Sequence, residues 1–596
     1  MLKNHPKGLL VAFFANMGER FGFYTMMAIL VLFLQVKFNL SVEIAGDYYS
    51  WFYFGIYAMA LIGGILADYS KKYKLVILVG IVVMLTGYTM MAMPGLSLNI
   101  TLLSLFVIAL GNGLFKGNLQ AVVGQLYDNE KYGKLRDSAF MIFYMGINVG
   151  AFFAPFAATA MRDWWLKSNG FLHDGSIPAL CHQLLEGKLA DTNQLGSLAN
   201  KVSLTGPVTD LNAFATSYLE VFSRGYNYAF GIAAVAMVIS LLVYIFFNKH
   251  LPNKEVAEVN STKTKAENKS GLITLVVSLL VGALVTFLVS LWTDYKTGMA
   301  IGLFGTFVTW IIMSSTKEEK ARVTSLVLVF FVVIFFWMSF HQNGLTLTVF
   351  ARDYIVKQVG PFTNIFFTLP SILSFIAGVG GLFLLFGKNT TTNRLIGAAM
   401  TVSGAALSYY FVSQNSEMNS ISPEVFQSFN PLFIVFLTPM VMGIFSWLNK
   451  IGKEPSTPRK IGIGMIIAAV GFLVVMVGSL SLISPHELNG LPVPDSSRIS
   501  PYWLINSYLV LTVAELFLSP MGLSFVSKVA PQRFQGLMQG GWLLATAVGN
   551  KLLFVGSFFW GKLDLWQLWL IFIVCCLLSA TFIFSIMKRL ERVTGK

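Results

Sequence analysis

The sequence predicts an all-α protein that crosses a membrane many times. Three observations lead to this fold class: 55% of the 596 residues are hydrophobic, only 12% are charged, and apolar runs recur along the whole chain. The mean hydropathy is +0.69. A soluble domain usually carries about 25% charged residues, so the composition excludes a water-soluble globular protein and a disordered chain. With three cysteines in the whole chain, a disulfide-stabilised scaffold is excluded as well.

Sixteen segments meet the requirement of about 20 mainly apolar residues for a membrane-spanning helix. They lie near residues 8–36, 44–69, 75–94, 98–125, 137–162, 225–248, 271–293, 297–315, 323–351, 363–386, 395–413, 429–449, 461–484, 502–527, 536–557 and 566–587. The pairs 271–315 and 363–413 are interpreted as hairpins added to a simpler plan of two sets of six helices. An even number of spans places both termini on one side of the membrane.

The positive charges predict which side that is. Most of the 42 Lys and Arg residues fall in the loops on the side of the N-terminus, and the positive-inside rule makes that side the cytoplasm. The net charge of +14 does not indicate nucleic-acid binding, because the cations are spread over short gaps and form no soluble basic patch. The apolar stretch after residue 7 shows no signal-peptide cleavage site, so it is expected to remain as the first helix.

These segments predict a division of the chain into seven parts. In order, they are an N-terminal bundle with helices 1–5 (1–162), a periplasmic loop (163–224), helix 6 (225–248), a linker with the first extra hairpin (249–320), helix 7 (321–352), the second extra hairpin (353–420) and a C-terminal bundle with helices 8–12 (421–596).

Five charged side chains lie well inside the predicted spans, away from their first and last turns: Glu19, Arg20, Lys116, Glu515 and Lys551. A charge near the bilayer centre is costly, so such a residue usually faces a bundle interior or a wet cavity and has a partner. The depth of Arg20, Lys116 and Glu515 in their segments indicates a functional role. For Lys551 a structural role is favoured, with the ammonium reaching toward the headgroups.

Polar residues repeat at intervals of four in two helices of the first half, which places them on one face of each helix. Helix 1 carries Asn16, Arg20 and Tyr24, and helix 4 carries Asn112, Lys116 and Gln120. A lysine in an apolar site tends to lose its proton unless an acid lies near it. If the two helices face each other, we expect Glu19 and Lys116 to share a titration and to act as a proton switch.

The second half supplies a carboxylate instead. Glu515 lies within its helix and precedes Ser519-Pro520, where a kink is expected. Cations from one half and an acid from the other match a zwitterion, with its carboxylate at Arg20 and Lys116 and its ammonium at Glu515. Such midplane sites between two helical halves are typical of secondary transporters.

Six short motifs carry a family resemblance. They are Asn16–Tyr24, Gly63–Asp68 followed by Lys71 and Lys72, Gly113–Asn118, Phe143–Gly150, Asn430–Leu432 and Glu515–Leu523. On these residues the chain resembles the proton-dependent oligopeptide transporter family of the major facilitator superfamily. Asn16–Tyr24 is similar to the family's E-x-x-E-R-F-x-Y-Y, and Phe143–Gly150 fits its F-Y-x-x-I-N-x-G. Each motif alone is weak, but six in the right order are specific.

The resemblance implies a major facilitator fold of two six-helix bundles with extra transmembrane hairpins, placed in a bacterial inner membrane. It also implies proton-coupled uptake of di- and tripeptides by alternating access, with peptide, protons and the lipid bilayer as partners and no cofactor or metal. By position, Arg20 and Lys116 would hold the peptide carboxylate and Glu515 the amino terminus. The remaining binding residues implied are Asn148 and Asn430 on the peptide backbone, Tyr24 and Tyr57 on the cavity wall, and Trp337 as a side-chain pocket wall.

Several positions depart from the family pattern. Asn16 stands in place of the first acid of the helix 1 motif, and His341 in place of the usual acid of helix 7. The other departures are Phe23 for a Tyr, Ala60 for a Pro and Gly117 for a Pro. Because Asn16 cannot titrate and His341 can titrate near neutral pH, we expect proton coupling to pass through Glu19, Arg20 and Lys116, with His341 as a further candidate.

Alternative functions are a transporter of the same fold for another solute, such as a drug, an amino acid conjugate or an anion, and peptide transport with altered proton coupling. Glu515 argues against a simple anion because it would repel one. An intramembrane enzyme is disfavoured, since the sequence has no H-E-x-x-H and His341 has no second His or Cys in helical register. A channel is disfavoured because a continuous pore would not need opposite charges from the two halves.

Overall fold

We describe the protein from a computed structural model that covers residues 5–128, 131–132, 135–252, 265–387, 390–488 and 490–594. Within these residues, sixteen helices are long and apolar enough to cross a membrane, which confirms the predicted number of spans. Residues 1–4, residues 253–264 of the predicted linker and the side chain of Asp68 lie outside the described part of the chain.

The helices of the first half run up to residue 247. They are α1 (Lys7–Phe38), α2 (Val42–Ser70), α3 (Tyr73–Ala92), α4 (Leu98–Gln125), α5 (Arg136–Ser168), α6 (Ile177–Leu185), α7 (Asn193–Val202) and α8 (Leu211–Phe247). Serine side chains cap two of them: the Ser41 hydroxyl accepts a hydrogen bond from the backbone of α2, and the Ser97 hydroxyl accepts one from that of α4.

The remaining helices form two hairpins and the second half. They are α9 (Lys265–Ser290), α10 (Tyr295–Ser314), α11 (Lys320–Phe340), α12 (Thr346–Tyr354), α13 (Leu369–Phe386), α14 (Thr391–Gln414), α15 (Phe429–Lys450), α16 (Thr457–Ser479), α17 (Pro501–Val529), α18 (Gln535–Lys551), α19 (Phe554–Phe559), α20 (Leu565–Ser585) and α21 (Met587–Thr594). Two short antiparallel strands, β1 (Gln358–Val359) and β2 (Asn419–Ser420), pair Gln358 with Ser420.

Two helical bundles meet along two seams. In the first bundle α1 packs on α5 and α8, and α4 packs on α2 and α3; in the second α16 packs on α17 and α20, and α11 packs on α18. One seam joins α2 to α18 and α19, and the other joins α5 to α15 and to the 3-10 turn Pro423–Ser428. The space between the seams is therefore bordered by both halves.

The helix predicted as one span over 321–352 is broken. A 3-10 turn, His341–Gly344, separates α11 from α12. Side chains satisfy the backbone freed by the break, as membrane burial requires: the hydroxyls of Tyr508 and Thr348 both donate to the Asn343 carbonyl, at 2.8 and 2.9 Å. Gly344 lets the Tyr49 hydroxyl approach closely, because an added Cβ would lie 2.1 Å from that oxygen.

The predicted loop 163–224 is shorter than expected, because α5 continues to Ser168 and α8 begins at Leu211. Residues 169–210, here called the cap, contain α6 and α7. The early turns of α8 bury aromatic side chains against the cap, where the ring of Phe171 lies 5.8 Å from Phe214 and 5.4 Å from Tyr218. Polar residues on the other face of these turns explain why the sequence did not predict a helix there.

The cap contacts the second half through an ion pair. The Lys357 ammonium donates to both carboxylate oxygens of Asp174, at 2.8 and 2.7 Å. Burial alone would raise the pKa of Asp174, but the Lys357 charge and the hydrogen bonds from Lys357 and Ser176 outweigh it, so the pKa lies below its usual value. A carboxylate with a lowered pKa stabilises the folded state above its unfolded pKa of about 4, and this stabilisation is lost as pH falls further.

We therefore expect Asp174→Asn to accelerate hydrogen exchange of the cap amides about tenfold at pH 7. Compared at the same pH, the variant and the wild type should begin to converge below about pH 4 and become equal once the pH falls below the lowered pKa of Asp174 in the folded protein. Lys188→Gln is the control, because its pair with Glu186 is exposed and contributes little. Equal exchange of wild type and Asp174→Asn at pH 7 would contradict the expectation.

The two hairpins differ in their attachment. The α9–α10 hairpin packs on α11 and α18 of the second half. The α13–α14 hairpin is held together by close helix packing, since a Cβ added at Gly381 would lie 2.6 Å from the Gly397 carbonyl oxygen. It contacts the 3-10 turn Thr363–Phe366 at one end, and most of its remaining surface is apolar and exposed, as suits a lipid-facing pair.

Candidate functional site

A central site lies where side chains from both halves converge. Tyr24 of α1 and Tyr57 of α2 each interact electrostatically with Arg20 of the first half and with Glu515 of α17 in the second half. Both phenols are only partly buried. Arg20 of the first half and Glu515 of the second half therefore lie near the same two phenols, and Lys116 joins them through its contact with the Tyr57 ring.

Arg20 is held by its neighbour Glu19. The Arg20 guanidinium donates through Nε to Oε2 at 2.5 Å and through a terminal nitrogen to Oε1 at 2.6 Å. The Asn112 amide of α4 donates to the same Oε1 at 2.5 Å, so α1 and α4 face each other as the proton-switch prediction requires. Glu19 is completely buried. In this arrangement the Arg20 guanidinium is held against Glu19 through two of its three nitrogens.

Lys116 is in the opposite situation. Its ammonium lies 3.9 Å from the centre of the Tyr57 ring, a cation–π contact. Glu19 and Arg20 act on it electrostatically, but Lys116 makes no hydrogen bond or ion pair with another described residue. Its three donors are therefore available to a carboxylate.

Glu515 is positioned by Asn430 of α15. The Asn430 amide donates to Glu515 Oε2 at 2.9 Å and to the Thr512 hydroxyl at 3.0 Å. Within the described chain, Glu515 Oε1 accepts no hydrogen bond. The carboxylate is thus oriented through one oxygen and presents the other as an acceptor for a cation.

The other predicted binding residues differ in how many of their polar groups already have a hydrogen-bond partner. Asn148 of α5 is 5% exposed and its amide donates to the Tyr144 carbonyl at 3.2 Å. Trp337 of α11 is 8% exposed, and its indole nitrogen is buried without a partner among the described residues. Asn430 is already committed to Glu515 through its nitrogen, which leaves its carbonyl oxygen for other contacts.

His341 lies in an aromatic sandwich. Its ring centre is 4.6 Å from that of Trp337 and 4.6 Å from that of Tyr53. Its Nδ1 lies 2.5 Å from the Asn550 side-chain oxygen, so this nitrogen carries the proton. The charged group that acts on the ring is the Lys116 ammonium. Protonation of His341 would therefore place two cations near each other.

Sequence reasoning missed several polar residues that the structure brings into contact. Tyr53 and Asn550 enclose His341, and their residue types gave no signal. Arg162, Glu424 and Asp47 were missed because they lie near the ends of their spans, where a charge is ordinarily solvated. Arg162 and Glu424 are nevertheless fully buried and paired. No group of three or more His, Cys, Asp or Glu suited to a metal occurs within the described ranges.

A sequence model of the POT family matches residues 73–372 and 404–557, which together make up most of the chain. Among curated proteins, the chain is 26% identical over 566 residues to the uncharacterized transporter YclF of Bacillus subtilis (strain 168), covering 92% of this chain and 87% of the relative. It is 23% identical over 542 residues to dipeptide and tripeptide permease A of Enterobacter sp. (strain 638), covering 91% and 82%.

Solved structures share the fold. A crystal structure of a mutant of the peptide transporter POT in complex with alafosfalin superposes with a TM-score of 0.65 at 23% identity, covering 100% of this chain and 97% of that one. A likeness at this identity establishes the fold alone. The chemistry has to be argued from the residues of the site. The predicted fold class is confirmed.

Proposed function

This chain belongs to the POT family, and from that premise we propose that it carries di- and tripeptides into the cell together with protons, by alternating access of its two halves. The observation that carries the proposal is the complementary pair of free groups in the shared space. Lys116 offers an unpaired ammonium on one side, and Glu515 offers an unoccupied carboxylate oxygen on the other. A short peptide at neutral pH carries the reverse charges at its two ends.

The charges of the site suggest roles for the predicted residues. Lys116, joined by Arg20, binds the peptide carboxylate, and Glu515 binds the amino terminus, since charge-assisted hydrogen bonds are the strongest polar contacts. Asn148 and the carbonyl oxygen of Asn430 bond the peptide backbone. Tyr24 and Tyr57 line the cavity, and Trp337 forms a wall for a peptide side chain.

Proton coupling follows from the engagement of Arg20. Two hydrogen bonds hold Arg20 on Glu19 while Glu19 is ionised. A proton on Glu19 removes the negative charge, weakens both contacts and releases Arg20 to join Lys116 on the carboxylate. Deprotonation of Glu19 recaptures Arg20 and weakens the grip on the peptide. Glu19, Arg20 and Lys116 therefore form the coupling unit.

His341 is the further coupling candidate, and its surroundings suit a neutral ring better than a charged one. A neutral His341 and Asn16 stand at two positions where the family usually has an acid. They favour peptide transport with altered proton coupling as the second candidate within the same function.

The halves are joined at the cap end in this conformation. If the N-terminus is cytoplasmic, as the positive-inside rule predicts, the cap faces the periplasm and this state is closed toward the outside. Release would then occur at the opposite end, with bending at Pro439 of α15 and Pro520 of α17, which both lie inside their helices. The chain is a multi-pass membrane protein, and we place it in the bacterial inner membrane.

Reconstitution into liposomes tests this function. We expect labelled dialanine to exchange in counterflow without a gradient and to accumulate several-fold when the outside is made more acidic than the inside. Unlabelled dipeptides should compete with the label, whereas nitrate should not, because Glu515 repels a simple anion.

Two outcomes would contradict parts of the proposal. Uptake that is unchanged after the proton gradient is dissipated would rule out symport and leave facilitated transport. Competition by nitrate or by an amino acid conjugate, but not by dipeptides, would identify another solute as the substrate.

A further inference from the structure

Two ion pairs at the cap end have no part in the proposed binding site: one is fully buried, and in the other a buried lysine faces a partly exposed aspartate. Each joins the first half to the second, and each lies on a different seam of the molecule: Arg162 with Glu424 between α5 and the turn before α15, and Asp47 with Lys551 between α2 and α18. All ion pairs between the two halves that join described residues lie at this end. The two pairs therefore lie on the two opposite seams between the halves.

The first pair is sealed from solvent. Arg162 and Glu424 both have fully buried side chains, and the Arg162 guanidinium donates to Glu424 Oε1 and to the Ser422 hydroxyl at 3.0 Å. The Tyr226 hydroxyl donates to the same Glu424 oxygen at 3.2 Å. Arg162 also pairs with Asp163 in its own helix, at 2.9 Å.

The second pair includes one of the extra hairpins. The buried Lys551 ammonium lies 2.6 Å from Asp47 Oδ1 and 3.4 Å from the Ser50 hydroxyl. The other Asp47 oxygen faces the Lys296 ammonium at 3.4 Å. Lys296 lies in the first turn of α10, which packs on α18. Both cations on Asp47 therefore come from elements attached to the second half.

Opening of the cap end has to separate both pairs. Truncating one member of a buried charge pair is strongly destabilising, because the remaining charge stays buried without a partner. When the seams part, water enters and hydrates all four charges, so the open state does not carry this cost. Loss of one charge thus weakens the closed state far more than the open state.

We propose that Asp47–Lys551 and Arg162–Glu424 form a two-point latch that sets the balance between the closed and open cap end, and that the α9–α10 hairpin takes part through Lys296. The inference rests on the proposed function only in that the closed and open states belong to a transport cycle. It assigns a mechanical role to a hairpin outside the twelve-helix plan.

Spin-label distances test the latch without substrate or gradient. Cysteines introduced by Asn99→Cys and Ser496→Cys, after replacement of the three native cysteines by alanine, report the separation of the halves at the cap end, where both positions are exposed. We expect Asp47→Asn, which leaves the buried Lys551 ammonium without its counter-charge, and Arg162→Gln, which does the same to Glu424, to raise the population with the longer distance about tenfold. Lys296→Gln should raise it about twofold, because this ammonium is farther from Asp47 and partly solvated.

Lys562→Gln is the matched control, since Lys562 also bridges the halves, to Glu43 at 3.0 Å, but both side chains are 45% exposed. The double change Asp47→Asn with Lys551→Gln leaves no buried charge unpaired, so it guards against misfolding and should also open. Exchange of the two charges, Asp47→Lys with Lys551→Asp, is made together with Lys296→Gln, so that no second ammonium faces position 47, and it should restore the closed distance.

Three results would overturn the latch or its parts. Unchanged distances in Asp47→Asn, Arg162→Gln and the double variant would refute it. A Lys296→Gln variant that behaves like Lys562→Gln would remove the hairpin from it. Failure of the charge exchange to close the cap end would show that packing, not the ion pair, holds the α2–α18 seam. A protein that moves no dipeptide but shows the expected distance shifts would refute the proposed function and leave the latch intact.

Discussion

Lys116→Ala is expected to abolish proton-driven uptake of dialanine, with a fall in the initial rate of about 100-fold. Among the described residues this ammonium has only the Tyr57 ring as a direct partner, so its hydrogen-bonding capacity is open to the peptide carboxylate that the proposed function assigns to it. Glu19 and Arg20 also act on this charge electrostatically. If the proposed function holds, its removal takes away both a ligand contact and a member of the coupling unit.

The measurement compares the initial rate under an inward proton gradient with counterflow in its absence. Lys116→Arg keeps the positive charge and should retain part of the uptake. Lys37→Ala is the matched control, because Lys37 is likewise an ammonium whose partners are aromatic rings, at 5.3 Å from Phe33 and from Phe38, but it lies at the end of α1. Normal gradient-driven uptake by Lys116→Ala would refute the role of this residue.

Glu515→Gln should weaken binding of peptides with a free amino terminus by roughly 10- to 100-fold, the range expected for a lost charge-assisted hydrogen bond. Glutamine has nearly the same shape, so the cavity and the contact with Asn430 are preserved in outline. Peptides with an acetylated amino terminus never make the ionic contact, and we expect their weaker binding to change little.

Competition against labelled dialanine in counterflow measures both affinities in one preparation. The discriminating quantity is the ratio of the inhibitory concentrations of dialanine and N-acetyl-dialanine in the variant and in the wild type. Glu43→Gln is the control, since Glu43 is an exposed carboxylate of α2 that pairs with Lys562. An equal loss for free and blocked peptides would mean that Glu515 supports the fold of the site rather than binding the amino terminus.

The membrane-spanning helices were predictable because lipid imposes one rule on every span: the side chains must be apolar and the backbone must bond to itself. That rule acts locally and can be read from about 20 residues at a time. It does not show that α11 ends at Phe340, because tertiary partners such as Tyr508 satisfy the broken backbone. Nor does it show that α8 begins at Leu211, because the cap buries that part of the helix outside the bilayer.

The same division applies to the site. The sequence by itself determined that Arg20, Lys116 and Glu515 are lone charges in apolar helices, and this alone indicates a wet cavity between two halves, because a charge without water or a partner is too costly in lipid. Only the tertiary structure decided which of these charges already has an ionic partner. Arg20 is bound to Glu19, whereas Lys116 has no ion pair among the described residues, since ion pairing depends on distances of a few ångströms that the sequence does not show. For the same reason Asp47, Arg162 and Glu424 were not predicted: each lies near the end of its span, and only the opposing half gives that position an ion-pair partner.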